Sequence, residues 1–232
     1  MPTVTTRNPH RLFFMAVGGV VLGIPLIGFA PTYYLKPLFG TPELRPLVQV
    51  HAALFTLWPV LVLAQILLVR ARRVDLHRAL GWTAVVLVPL MVVTGALVIM
   101  GKPRPTIEAR AFIFTPLLAL VLFPAFVATA IRFRRDPATH KRLLILASVF
   151  VVGAGMTRIL RFVGMAGHGF LFEYVTYGLI LFPCAIYDLV YLRRLHPATI
   201  WGGAVIILRH PLHSVVAYTD VWQSIAAWLT AS

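Results

Sequence analysis

Four of the eight histidines lie where they could bind a metal ion or a prosthetic group. His51 lies near the start of a long apolar run, His77 and His140 each follow a short basic loop, and His168 lies in a glycine-containing turn. Imidazole is the commonest protein ligand of metal ions and also binds haem iron. Which of these histidines can meet depends on the elements that carry them.

The histidines belong to a chain whose solvent is the lipid bilayer. Of its 232 residues 59% are hydrophobic and only 12% are charged, with a mean hydropathy of +0.87, far from a soluble protein. A helix needs about 20 apolar residues to span the hydrocarbon. Runs of that length occur at 12–35, 46–69, 79–101, 111–131, 142–164 and 170–192, the last two with charges inside them. The pattern predicts an all-α, polytopic membrane bundle of six transmembrane helices.

The tail after the sixth span has a different pattern. The apolar run 199–208 is too short to span alone, and beyond Pro211 apolar residues recur at steps of three and four. This spacing predicts a C-terminal amphipathic helix lying in the cytoplasmic interface. The chain then divides into a six-helix transmembrane bundle, 1–198, and a cytoplasmic-side amphipathic tail, 199–232. A seventh span is the alternative.

The positive charge of the chain indicates its orientation. Lys and Arg number 21 against seven Asp and Glu, for a net charge of +14. These cations lie mostly in short loops between apolar runs, so they are explained by membrane topology, and nucleic acid is not a predicted partner. Their distribution predicts a bacterial cytoplasmic (inner) membrane protein with both the N-terminus and the C-terminus in the cytoplasm. The lipid bilayer is the predicted partner, and a redox partner or a membrane complex is left open.

A basic hairpin occurs twice. The loops at 70–73 and 132–135 both read R-x-R-R, and each is followed by an aspartate, a histidine and a new apolar helix, at an offset of about 62 residues. Asp136 precedes a proline and is predicted to cap its helix, and Asp75 is predicted to do the same. The histidine that follows each aspartate then lies in the first turn of its helix.

The helix rise converts these positions into depths. At about 1.5 Å per residue, His51 and His77 lie about 28 Å apart in height and cannot share one metal ion. The polar residues fall into an outer layer and an inner layer. The outer layer holds His51, Arg158, Arg161, His168 and Glu173, and the inner layer holds Gln65, His77, His140 and Asp188.

Two such layers could hold two haem groups. The predicted metal ligands are His51 with His168 in the outer layer and His77 with His140 in the inner layer, and Arg158 and Arg161 would pair with propionates. As alternatives, Glu173 forms an ion pair with Arg158 or Arg161, or this cluster lines a transport pathway. For Asp188 and Gln65, interhelical hydrogen bonds are favoured over a proton relay.

The stretch 46–82 carries a resemblance. Its runs HAALFTLW and LHRALGW resemble the helix-loop-helix of uncharacterised bacterial multi-span proteins and of four-histidine membrane b-type cytochromes. The resemblance implies haem b, and we expect a membrane protein that binds haem b or a quinone and takes part in electron transfer. The alternative is a non-redox small transporter or accessory subunit. Zinc-protease, nucleophile-elbow and phosphate-loop motifs are missing from the sequence, so whether the chain is an enzyme stays open.

Overall fold

Helices account for 84% of the described residues. We describe the protein from a computed structural model that covers residues 9–165 and 169–231, with side chains for 12–165 and 174–231. Within these ranges the chain forms helices, turns and short loops and no strand. The predicted all-α fold is confirmed.

Eleven α-helices occur in the described part of the chain. They are α1 (Pro9–Phe29), α2 (Lys36–Phe39), α3 (Pro46–Arg70), α4 (Val74–Gly81), α5 (Thr83–Met100), α6 (Ile107–Phe112), α7 (Phe114–Arg132), α8 (Pro137–Phe162), α9 (Gly169–Leu192), α10 (Pro197–Val216) and α11 (Asp220–Leu229). A π-helical turn, Ala30–Tyr34, extends α1.

Six helical segments in the described ranges are long and apolar enough to cross a membrane. They are Leu12–Tyr34, Pro46–Arg70, Val74–Met100, Ile107–Arg132, Pro137–Phe162 and Tyr174–Leu192. Each overlaps one of the six apolar runs, because a span of about 20 apolar residues is specified by composition alone. The helices α10 and α11 form a further pair, bent by 97°.

The helix starts are set by local side chains. At the start of α8, Asp136 accepts hydrogen bonds from the backbone N–H groups of Ala138 at 3.0 Å and Thr139 at 3.4 Å, and Pro137 occupies the first helical position. This is the predicted cap.

The corresponding prediction for Asp75 is wrong. Arg72 takes a left-handed conformation with φ of 59°, and α4 begins at Val74, with Arg73 as the residue before its first turn and no side-chain cap. Asp75 therefore lies inside the first turn, where it forms an exposed ion pair with Arg73 at 3.6 Å.

The central helix of the bundle is α8, which packs against α1, α7, α9 and α10. In its apolar stretch 61% of residues are buried, whereas no other span exceeds 33%. The contact with α1 is backbone to backbone, because a Cβ added at Gly28 would lie 2.2 Å from the carbonyl oxygen of Gly155. Small residues of this kind let membrane helices approach closely.

The helix α10 runs the length of the bundle. We call inner end the end that carries the basic loops 71–73 and 133–136, and outer end the end that carries residues 101–106. The N-terminus of α10 contacts Asp188 at the inner end, and His213 in its last turn hydrogen-bonds the carbonyl of Ala111, 3.2 Å away at the outer end. The sequence pattern places residues 199–232 along the inner interface. The structure instead packs α10 against α7, α8 and α9 and sets α11 on α6.

Candidate functional site

His77 and His140 lie together at the inner end. They come from the first turns of α4 and α8, and their ring centroids are 6.4 Å apart with the ring planes at 82°. Both side chains are half-buried. The repeated hairpin explains the encounter, since each basic loop returns the chain to the same end of the bundle and places a histidine there.

The hydrogen bond of His140 defines its tautomer. Its Nδ1 lies 2.7 Å from the carbonyl oxygen of Ala130. A carbonyl only accepts, so Nδ1 carries the hydrogen and Nε2 keeps its lone pair. Metal-binding histidines are commonly held in this way, with the second ring nitrogen donating to a backbone carbonyl.

Three buried polar atoms beside this pair have no partner among the described residues. They are Nδ1 of His77 and both amide atoms of Gln65, on α3. The Gln65 Nε2 atom lies 3.7 Å from the position that a Cβ on Gly81 would take, one helical turn after His77. A buried polar group left without a hydrogen bond costs about 1–3 kcal/mol. A polar ligand placed here could satisfy all three atoms.

The two basic loops surround this site with positive charge. The exposed arginines in these loops and in the adjoining helix ends are Arg72, Arg73, Arg78, Arg132, Arg134 and Arg135. The only carboxylates beside them in these loops are Asp75 and Asp136, of which Asp136 already caps α8. This end of the bundle therefore attracts anionic groups.

In a second polar cluster at the inner end, the side chains hydrogen-bond to one another and to the backbone. Arg142 of α8 donates from Nε to Asp188 of α9 at 2.9 Å and makes a further, shorter hydrogen bond from its terminal nitrogen to the same oxygen. The remaining nitrogen of Arg142 donates to the carbonyl of Ala138 at 2.7 Å. Asp188 also accepts from the hydroxyl of Thr199 at 2.6 Å and from the backbone N–H of His196 at 3.0 Å.

Every oxygen of Asp188 is thus satisfied from three elements, which suits a structural tie. Asp188 was expected to hydrogen-bond between helices, and these contacts are of that kind. Its partner Arg142 is not identifiable from the sequence, where it is one more cation of a basic loop. The feature of the sequence that could have identified Arg142 is its position directly before the long buried run of α8.

The outer group is described only in part. His51 packs on Phe55 with ring centroids 4.2 Å apart, and its Nδ1 is buried with no partner in the described ranges. The guanidinium of Arg158 lies 4.1 Å above the Phe29 ring, donates to a backbone carbonyl one turn earlier at 3.1 Å and is within electrostatic range of His51. Arg161 is exposed.

Two predicted members of the outer group cannot be placed. His168 and the side chain of Glu173 lie outside the described residues, so their pairing with His51, Arg158 or Arg161 stays a prediction.

A buried cation on α10 is missed by the sequence reading. Arg209 is 7% exposed and lies between the rings of Phe150, at 5.6 Å, and Tyr177, at 5.2 Å. The signal that could have found it is helical spacing. Buried or hydrogen-bonding positions of α10 continue at steps of three and four through the sequence 199, 202, 206, 209 and 213.

The donor set limits the metal chemistry of the histidine pair. In the described ranges no group of three His, Cys, Asp or Glu side chains could hold a metal ion. A structural zinc ion needs four protein ligands, which this pair cannot supply. Haem iron needs at most two, since the macrocycle provides the others.

Comparisons with protein-family models, with curated proteins and with solved structures find no match for the chain.

Proposed function

We propose that this chain is a multi-span membrane protein of electron transfer that binds haem b at its inner end, where His77 and His140 would hold the iron. The observation that carries the proposal is the distance between the two rings, 6.4 Å between centroids. Imidazoles bound on opposite sides of one metal ion, with metal–nitrogen distances of about 2.0–2.1 Å, have centroids about 6 Å apart.

The surrounding residues suit the same occupant. His140 offers Nε2 because its Nδ1 is committed to the Ala130 carbonyl. The loop arginines would hold the propionates, as cations beside the ligand helices. When bound, haem supplies one-electron redox chemistry through its iron, and the half-buried position at the bundle end sets its exposure to water.

A quinone is the second chemistry that this site could bind. Its carbonyl oxygens would accept hydrogen bonds from Nε2 of Gln65 and from a protonated ring nitrogen of His77, atoms that have no partner in the described part of the chain. In the outer group, a second haem held by His51 and His168, with Arg158 and Arg161 on its propionates, belongs to the same proposal.

A non-redox function as a small transporter or accessory subunit is the competing candidate. The buried Arg209 favours it, because a cation inside a membrane bundle commonly marks a substrate or ion pathway. In that case the histidine pair would be an interfacial polar contact.

An optical spectrum separates these candidates. The protein is purified in detergent from haem-replete cells, and reduced-minus-oxidised spectra are recorded for the wild type, His77→Ala, His140→Ala and the control His213→Gln at the outer end. A b-type signal that is lost in the first two variants and kept in the control supports the proposal. A colourless wild-type protein whose solvent extract contains quinone supports the quinone version. If the protein contains neither haem nor quinone, the transporter candidate is favoured.

A further inference from the structure

The helix α11 exposes a narrow apolar stripe. Val221, Ile225 and Trp228 follow one another at steps of four and three, so they lie on one face. Val221 is 70% exposed and Trp228 is 78% exposed. The exposed residue Asp220 lies beside the stripe, and the exposed Ser224 lies on the same face as the stripe. An apolar stripe next to a polar edge is typical of a helix that lies in a membrane surface.

The position of α11 is fixed by its contacts with α6. Arg110 donates from Nε to the side-chain carbonyl of Gln223 at 2.8 Å, and Trp222 donates from Nε1 to the carbonyl of Arg110 at 3.0 Å. Ala217 and Phe114 are buried together beneath this contact. These contacts bury a different face of α11, so the stripe of Val221, Ile225 and Trp228 stays uncovered by the described chain.

The contacts also fix the end of the bundle at which α11 lies. The fourth span begins at Ile107 and ends at Arg132, beside the inner-end loop. Since α11 rests on the start of this span, it lies at the outer end. The helix that leads to it, α10, is 20 residues or about 30 Å long, which is the thickness of the hydrocarbon core.

We infer that α10 is a seventh crossing and that α11 is an interfacial anchor, whose Val221, Ile225 and Trp228 insert into the lipid leaflet on the side opposite to His77 and His140. Near the end of α10, the apolar side chains of Leu212 and Val215 are exposed as well. Tryptophan is enriched at this depth, where its ring bridges the acyl and headgroup regions.

The basic residues at the same end suit a lipid surface. Lys102 and Arg104 lie in the loop between α5 and α6, and Arg110 lies within α6, on which α11 packs directly. These three cations outnumber the two exposed carboxylates beside them, Glu108 and Asp220. Their charges would face the phosphates of the leaflet that receives the stripe. The occupant of the stripe is therefore lipid, not a second protein.

The first experiment measures the depth of α11 in the membrane. Single cysteines can be labelled selectively, because Cys184 is the only cysteine of the chain and is buried. In a Cys184→Ser background, Trp228→Cys and the control Asp220→Cys are labelled with an environment-sensitive fluorophore and reconstituted into phosphatidylcholine and phosphatidylglycerol vesicles. The label at position 228 should be quenched by nitroxides placed high on the acyl chains. The label at position 220 should be quenched by iodide in the water. Protection of position 228 from both quenchers would indicate a covering protein and overturn the lipid assignment.

Sidedness is tested with a membrane-impermeant maleimide on sealed vesicles of one orientation. Asp220→Cys and Arg72→Cys, both in the Cys184→Ser background, should react from opposite sides, and permeabilisation should make both reactive. Reaction of both from the same side would overturn the seventh crossing. Both replaced side chains are exposed, so neither substitution removes a packing contact.

Discussion

Arg142 and Asp188 form an ion pair that water does not reach, with side-chain exposures of 3% and 0%. The pair joins α8 to α9, and the second oxygen of Asp188 holds Thr199 and the N–H of His196 at the start of α10. A buried pair contributes little relative to an apolar pair, but removing one partner leaves a charge without compensation. Three helices therefore depend on one carboxylate.

Neutralising that carboxylate should destabilise the bundle strongly. Asp188→Asn leaves the Arg142 guanidinium buried and unpaired, and we expect a loss of about 3–5 kcal/mol in the free energy of unfolding. Thermal unfolding in detergent measures it. The control is Asp136→Asn, an exposed cap that asparagine replaces well, with a change below about 1 kcal/mol. Equal melting temperatures for the two variants would show that the pair is not a tie.

The start of α10 should make stability depend on pH. His196 caps this helix by accepting the N–H of Ala198 at its Nδ1, 3.1 Å away. Burial, followed by the positive charge of Arg142, lowers the pKa of His196 below its usual value of 6.5, although Asp188 and Asp136 act in the opposite direction. The folded state therefore prefers neutral His196.

The sign follows from this preference. The unfolded chain binds the proton more tightly, so the contribution of His196 is present above the ordinary histidine pKa and is lost as pH falls through it. His196→Asn keeps the cap without titrating. We expect the melting temperature of the wild type to fall more between pH 7.5 and 5.5 than that of the variant, with a difference of about 1 kcal/mol or less, the size of one cap. Parallel pH profiles would contradict this.

Adding a single methyl group at the contact between α1 and α8 should destabilise the protein. Gly28→Ala would force its Cβ to within 2.2 Å of the Gly155 carbonyl oxygen, so the two helices must separate. We expect a loss of about 1–3 kcal/mol, as for other overpacked cores. Gly23→Ala is the matched control on the same helix, since nothing lies within 4 Å of its added Cβ. That change should be neutral or stabilising by up to about 1 kcal/mol through helix propensity. Equal losses in the two variants would exclude close packing as the cause.

Replacing Gln65 should increase the stability of the protein and weaken the binding of haem or quinone. In the protein without a bound group its amide atoms are buried without partners among the described residues, so Gln65→Met should raise the free energy of unfolding by about 1–3 kcal/mol. The same substitution should lower the retention of haem or quinone, measured by absorbance or extraction. A variant that is less stable and binds equally well would show that the amide has a structural partner.

The spans were predictable, whereas the polar contacts inside the bundle were only partly so. Apolar runs of the right length specify spans by composition, and Asp136 followed by proline specifies a cap by local chemistry. Arg142 could not be recognised, because its partner Asp188 lies 46 residues further along the chain and the two meet only when α8 and α9 pack. Arg209 was missed for a related reason, since its charge is accommodated by aromatic rings of two other helices.

The two copies of the repeated hairpin hold their histidines with different rigidity. His140 belongs to α8, the most buried helix, and its ring is fixed by a backbone carbonyl. His77 belongs to α4, an eight-residue helix with no buried residue that ends at Gly81, and α5 begins at Thr83. A group bound between the two histidines would have a rigidly positioned contact at His140 and a more mobile contact at His77. A group bound as proposed would therefore be held more firmly by His140 than by His77.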